Sequence, residues 1–131
     1  MLRSTIISHA ESQKERNKLH FKQLQDFEAE IPWSELTETI APQYLASTIG
    51  RLLVPTESML RVYFLQQRYG MTAVGVEEAL FQIQVLRKFA LIDIDKDVIP
   101  NESCIESFHQ LIKENNLESE INESFNIGSI V

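Results

Sequence analysis

Between Pro55 and Gly70 the apolar residues Met59, Leu60, Val62, Tyr63, Phe64 and Leu65 crowd together and leave a narrow polar stripe that holds Arg61 and Arg68. A helix with so little polar surface is surrounded by protein on most sides. Pro55 is preset for a first helical turn and Glu57 complements the helix dipole there, while Tyr69 and Gly70 close the helix. Thr72 then stands where it can cap a second helix, in which Val76, Ala79, Leu80, Ile83, Leu86 and Phe89 keep the three-and-four spacing of one buried face. Helix, four-residue turn containing glycine, helix is the outline of a helix-turn-helix unit, and any tight helical hairpin shares it.

The flanking sequence adds further helices to this hairpin. Residues 13–30 alternate charge with Leu19, Leu24 and Phe27, which predicts an amphipathic helix, basic at its start (Lys14, Arg16, Lys18, Lys22) and acidic at its end. That order is the reverse of what a helix dipole favours. Ile31 and Pro32 break the pattern, and Trp33, Leu36 and Ile40 predict a short helix that Pro42 ends, with Trp33 as a core anchor. Residues 46–54 read as a linker hinged at Gly50, with Arg51 at the entrance to the hairpin.

Beyond the hairpin, residues 91–99 alternate briefly, so that a short strand and an extended loop are both open there, with Pro100 as the boundary. Residues 101–103 cap a further helix, and Ser103 with Glu106 has capping-box spacing. In it Ile105, Phe108, Leu111 and Ile112 make the buried stripe, and His109, Gln110 and Lys113 lie on the outer face. The whole reads as a mainly α-helical protein: a frayed start over 1–12, a compact helical domain over 13–116 with a helix-turn-helix-like central hairpin, and a weakly ordered acidic tail over 117–131.

Composition narrows the function. With 131 residues, 44% of them hydrophobic, the chain suits one domain with an ordinary core. A lone Cys104 makes no internal disulfide, no apolar run approaches membrane-spanning length, and no basic-then-apolar leader opens the sequence. The expectation is a cytoplasmic protein with no membrane partner. A net charge of -7 weighs against a general nucleic-acid binder, whose affinity comes largely from neutralising phosphates. The charge is unevenly spread: residues 51–88 hold five basic and three acidic groups, residues 93–131 two basic and nine acidic. Either only the central helices face DNA, or the acidic third is normally covered by something this chain lacks.

Candidate chemistry is sparse. His9, His20, His109, Cys104 and the pair Glu77 and Glu78 lack the spacing of metal ligands or of an acid-base site, and Cys104 reads as a buried structural thiol. Asp93, Asp95 and Asp97 open like a calcium loop, but Val98 and Ile99 follow where that loop needs its glycine. The sequence reads as a non-enzyme that needs no cofactor.

Several short strings in order extend this reading. Gly50-Arg51, Met59-Leu60-Arg61, Leu65-Gln66-Gln67 with Tyr69, Glu77-Glu78-Ala79-Leu80 and Leu86-Arg87-Lys88-Phe89, flanked by Ile31-Pro32-Trp33, Ile40-Ala41-Pro42, Tyr44, Ile99-Pro100, Ile105, Phe108 and Leu111, resemble the N-terminal domain of bacterial insertion-sequence transposases of the InsH type, the insertion sequence five family. The resemblance spans about residues 21–125. It implies a helical domain that recognises the terminal inverted repeats of double-stranded DNA. In that family the domain is joined to a ribonuclease-H-like domain whose two aspartates and one glutamate hold magnesium ions for strand cutting and transfer. Gly128-Ser129-Ile130-Val131 is similar to the strand before the first of those aspartates, so no catalytic carboxylate carries over.

The expectation is therefore a truncated or degenerate transposase that binds repeats without strand transfer. Arg51, Arg61, Arg68, Arg87 and Lys88 form its expected DNA-facing set, the alternative for Arg61 and Arg68 being salt bridges to Glu57 or Glu77. Departures from the family pattern fall at Leu52-Leu53, Met71-Thr72-Ala73, Asn101 and His109, where a permanent positive charge is lost. The alternative function is a protein-protein module that pairs with full-length transposase, or with itself, and inhibits; the apolar central helix and acidic tail motivate it.

Overall fold

A computed structural model describes residues 21–47 and 54–130, with side chains as far as Asn126. Among these residues the chain forms seven helices and no strand: α1 (Leu24–Glu30), α2 (Trp33–Ala46), α3 (Thr56–Tyr69), α4 (Ala73–Gln82), α5 (Gln84–Phe89), α6 (Glu102–Glu114) and α7 (Glu118–Ile130). The mainly α-helical reading holds.

Ten of the fourteen residues of α3 are buried, as its narrow polar stripe requires. Helices α2, α4 and α6 pack on it, and α7 packs on α1. Near the middle of α3, the Phe64 ring lies 5.1 Å from Phe27 of α1, 5.6 Å from Trp33 of α2, 5.6 Å from Phe89 of α5 and 5.0 Å from Phe125 of α7. Such aromatic pairs contribute roughly 0.5–1.5 kcal/mol each beyond the area they bury. Trp33 is the expected core anchor, and its indole Nε1 donates to the Phe27 carbonyl at 3.2 Å. On another side of α3, Tyr63 packs on Phe108 of α6, which also meets Tyr44 of α2, each at 5.9 Å. Leu117, Ile121 and Phe125 bring α7 into the same core.

Four local expectations are corrected. Pro42 does not end its helix: α2 runs on to Ala46. Ile40 and Tyr44 are both buried, and the Tyr44 hydroxyl donates to the Val54 carbonyl, so core packing offsets the helical hydrogen bond that proline removes. The second hairpin helix is not continuous through residue 89. Ile83 takes extended dihedrals (φ -115, ψ 105) between α4 and α5, a conformation that suits a β-branched residue. Helix α6 is capped by Asn101, whose side chain accepts the Cys104 N–H at 2.9 Å, so Ser103 and Glu106 lie inside the helix and form no capping box. Residues 91–99 form neither a strand nor an extended loop; the Lys96 and Asp97 amides turn back onto the Asp93 carbonyl at 3.1 and 2.7 Å.

The punctuation around α3 follows the sequence. Pro55 precedes it and Gly70 ends it in the left-handed region (φ 61), while the Thr72 hydroxyl accepts the Gly75 N–H at 2.9 Å. Leu91 (φ 62) and Asn116 (φ 55) repeat the Gly70 geometry after α5 and α6. In all three places the next amide reaches back five residues: Met71 to Gln66, Ile92 to Arg87 and Leu117 to Ile112, at 3.0, 2.9 and 3.0 Å. The residues around Gly50 and Arg51, and the start of the expected 13–30 helix, lie outside the described residues.

Two substitutions test these features by urea unfolding. Pro42→Ala restores a helical donor and should stabilise the protein by about 1–3 kcal/mol. Gly70→Ala forces a Cβ into the left-handed region and should cost about 1 kcal/mol.

Candidate functional site

The DNA-facing residues expected from sequence fall in different places. Arg61 lies in the core, only 4% exposed. Its Nε donates to Glu57 at 3.1 Å, Nη1 and Nη2 grip the two carboxylate oxygens of Glu28, and Nη1 also reaches the Phe89 carbonyl at 3.0 Å. The guanidinium sits 4.7 Å from the Trp33 ring centroid and 5.3 Å from that of Phe89. Of the two ion pairs considered for it, the one to Glu57 is present; Glu28 is the partner that sequence reasoning missed. A contact 33 residues away leaves no local signature.

Arg87 is half-buried, and its Nη1 donates to the Leu80 and Phe81 carbonyls at 2.8 Å each. It closes the end of α4 at the Ile83 break, where the last carbonyls lack helical partners. Lys88 is exposed in a groove that also includes Asp93 and Asp95. Arg68 is exposed two turns beyond Arg61; its Nη2 donates to Gln23 at 2.9 Å and its guanidinium lies 5.3 Å from the Phe27 ring centroid. Arg51 lies outside the described residues.

The electrostatic setting is acidic. The described residues hold seven Lys and Arg against seventeen Asp and Glu, while Arg3, Lys14, Arg16, Lys18 and Arg51 fall in segments that are not described. Carboxylates line the groove at Lys88, the one at Arg61 (Glu28, Glu35, Glu57) and the one between α2 and α6 (Glu114). Among the described residues that line a groove of about 350 Å³ between α3 and α7 there is none: these are Phe64, Gln67, Arg68, Asn122, Phe125 and Asn126. Gln67, Asn122 and Asn126 were not among the site residues expected from sequence, although Gln67 lies beside Arg68 on α3.

His109, expected on the outer face, is turned inward. Its Nε2 lies 2.6 Å from the Gln66 side-chain oxygen, and its ring packs 4.7 Å from Tyr63. The Gln66 amide nitrogen donates onward to the Met71 carbonyl at 3.3 Å, so the neutral ring carries its proton on Nε2. Burial lowers the His109 pKa below 6.5, partly opposed by Glu118 and Glu106. Cys104 is a buried free thiol. The Asp93 and Asp97 carboxylates accept amides of their own turn, from Asp95 at 3.0 Å and Asp93 at 2.7 Å. Among the described residues no group of His, Cys, Asp or Glu could hold a metal ion, and no helix is long and apolar enough to cross a membrane.

Residues 8–111 match the family described as Transposase domain (DUF772). The match ends within α6. No solved structure gives a significant match.

Arg61→Lys keeps the charge but loses the fork that holds Glu28, Glu57 and the Phe89 carbonyl together; it should cost about 1–3 kcal/mol in urea unfolding, and Arg61→Ala about 3 kcal/mol or more. His109 gives a pH signature. Its folded pKa is depressed, so the unfolded chain takes up a proton first, and the associated stability falls as pH drops through about 6.5 toward the folded pKa. The stability difference between wild type and His109→Gln should narrow between about pH 7.5 and 5.5; a constant difference would show that His109 does not titrate with folding.

Proposed function

Because this chain belongs to the Transposase domain (DUF772) family, we propose that it is the helical DNA-recognition domain of an insertion-sequence transposase, related to the insertion sequence five family and binding terminal inverted repeats without cutting them. The family match over residues 8–111 is the observation that carries this reading, and the ordered strings around Arg61, Gln67 and Leu86 support it. Strand transfer belongs to the carboxylates and magnesium ions of the family's catalytic domain. This reading assigns no ion to the helices described.

The contact set is narrower than the sequence suggests. Arg68 and Lys88 are exposed, and with Arg51 and the basic run Lys14, Arg16, Lys18 and Lys22 they supply the phosphate contacts in this reading. Arg61 is withdrawn from the set because its donors are spent on Glu57, Glu28 and Phe89. Arg87 contributes charge from its place at the end of α4. With so many carboxylates on the described surface, binding that is confined to these cations keeps the acidic faces away from the phosphates.

The acidic surface also favours a second reading, in which the domain pairs with full-length transposase and inhibits it. Val74 and Phe81, seven residues apart on α4 and 44% and 54% exposed, offer an apolar contact for such a partner.

A gel-shift titration across a salt series separates the two. The DNA reading expects tighter binding to terminal-repeat duplex than to scrambled duplex, and Arg68→Gln and Lys88→Gln should each reduce the logarithmic salt slope by about 0.9. Equal affinity for both duplexes, together with co-purification of full-length transposase that Phe81→Asp abolishes, would replace recognition with the pairing reading.

A further inference from the structure

Exposed apolar side chains gather on one stretch of this chain. Of the six large ones among the described residues, five lie in that stretch: Val74, Phe81, Leu91, Ile94 and Val98, 44–54% exposed. Single exposed apolar residues are ordinary, whereas a concentration of them marks a contact surface.

Helices α4 and α5 carry the ordered part of it. Val74, Glu78 and Phe81 follow one another at spacings of four and three along α4, so they share one stripe, and Val85 and Lys88 continue the alternation on α5. Val74, Glu78, Phe81 and Lys88 are exposed, and Val85 is partly so. Arg87 joins the two runs across the Ile83 bend by donating to the Leu80 and Phe81 carbonyls.

The two charges of this seam are unspent. The side chains of Glu78 and Lys88 form no ion pair or hydrogen bond with any described residue, in contrast to Arg61, Arg68 and Arg87. Glu78 and Lys88 stand at equal distances along the chain from Ile83, one on either side, and so do Phe81 and Val85. A face with an acid at one end, a base at the other and apolar residues between them complements itself after a half-turn. A two-fold axis works in this way: where residue i meets residue j, j meets i. A duplex approaching the same face meets the Glu78 carboxylate, and a peptide of one charge sign is repelled by one end of the seam.

We propose that α4 and α5 pair with the same helices of a second copy of this chain, antiparallel about a two-fold axis at the Ile83 bend. Phe81 packs on Val85 of the other copy and Glu78 pairs with its Lys88, each contact occurring twice. The inference deepens the pairing reading, on whose contact at Val74 and Phe81 it rests, by naming the partner surface as a like domain. An interface of two short helical runs is small, so the dimer is weak and depends on concentration. Lys88 then serves either the second copy or a phosphate, so self-pairing and DNA compete for one cation.

Sedimentation velocity over a range of protein concentrations reads the association of wild type, of Glu78→Lys, of Lys88→Glu and of an equimolar mixture of the two variants. Unchanged thermal unfolding establishes that each variant is folded. Wild type should pass from monomer to dimer as concentration rises. Either variant alone sets like charges against each other twice, and its dimer dissociation constant should rise about tenfold or more. In the mixture both sites again join opposite charges, and heterodimers should form within about twofold of the wild-type affinity.

Wild type that is monomeric at every concentration, dimers that the single reversals leave unaltered, or a mixture as weak as its components would each overturn the seam. Assembly that grows past the dimer would overturn the two-fold axis, since a half-turn contact closes on itself. If full-length transposase still co-purifies through Phe81 after any of these results, the pairing reading stands without self-pairing; if it does not, both fall.

Discussion

A permanently charged guanidinium inside an aromatic core must be solvated by protein, and Arg61 sets that requirement for this fold. Water cannot reach it freely, so Glu28, Glu57 and the Phe89 carbonyl take water's place while Trp33 and Phe89 present ring faces. These partners come from α1, α2, α3 and the end of α5. Glu28 and Glu57 keep an outer face in water, which limits the desolvation cost that a fully buried ion pair would incur. The aromatic rings pack around this charge together with the aliphatic core, and Arg61 constrains how the surrounding helices are placed for that burial to occur.

The helical architecture was legible in the sequence where a local cause determined it. Pro55, Gly70 and Thr72 mark their boundaries through fixed φ, left-handed backbone and a capping hydroxyl, all of which act within a few residues. The buried apolar positions of α3 and α6 follow from spacing. What escaped was set by tertiary contact. Nothing near Pro42 announces that Tyr44 will reach Val54, and nothing near Ile83 announces that Arg87 will fold back on the carbonyls of α4.

The site was less legible for the same reason. Arginine in a narrow polar stripe reads as a contact for a partner, yet the same pattern arises when the arginine is held inside the molecule. Arg61 and Arg68, two turns apart on one helix, end in opposite circumstances because Glu28 stands beside one and Gln23 beside the other. The three amides of the α3/α7 groove come from positions far apart in the chain, and no spacing rule joins Gln67 to Asn126. Membership of the transposase domain family gives the functional direction, while the geometry sorts which cations remain exposed for it.

The single tryptophan occupies an unusual vantage point. Trp33 touches Phe64, Phe89 and Phe125, lies under the Arg61 charge and donates to the backbone of α1. Its indole thus senses five helices and one fixed cation at once. Its fluorescence is a built-in gauge of the whole body: loosening any one of those helices alters the polarity or field at the ring. Cooperative loss of structure and piecemeal loss therefore leave different optical traces, one a single sigmoid and the other a staircase, without any label being attached.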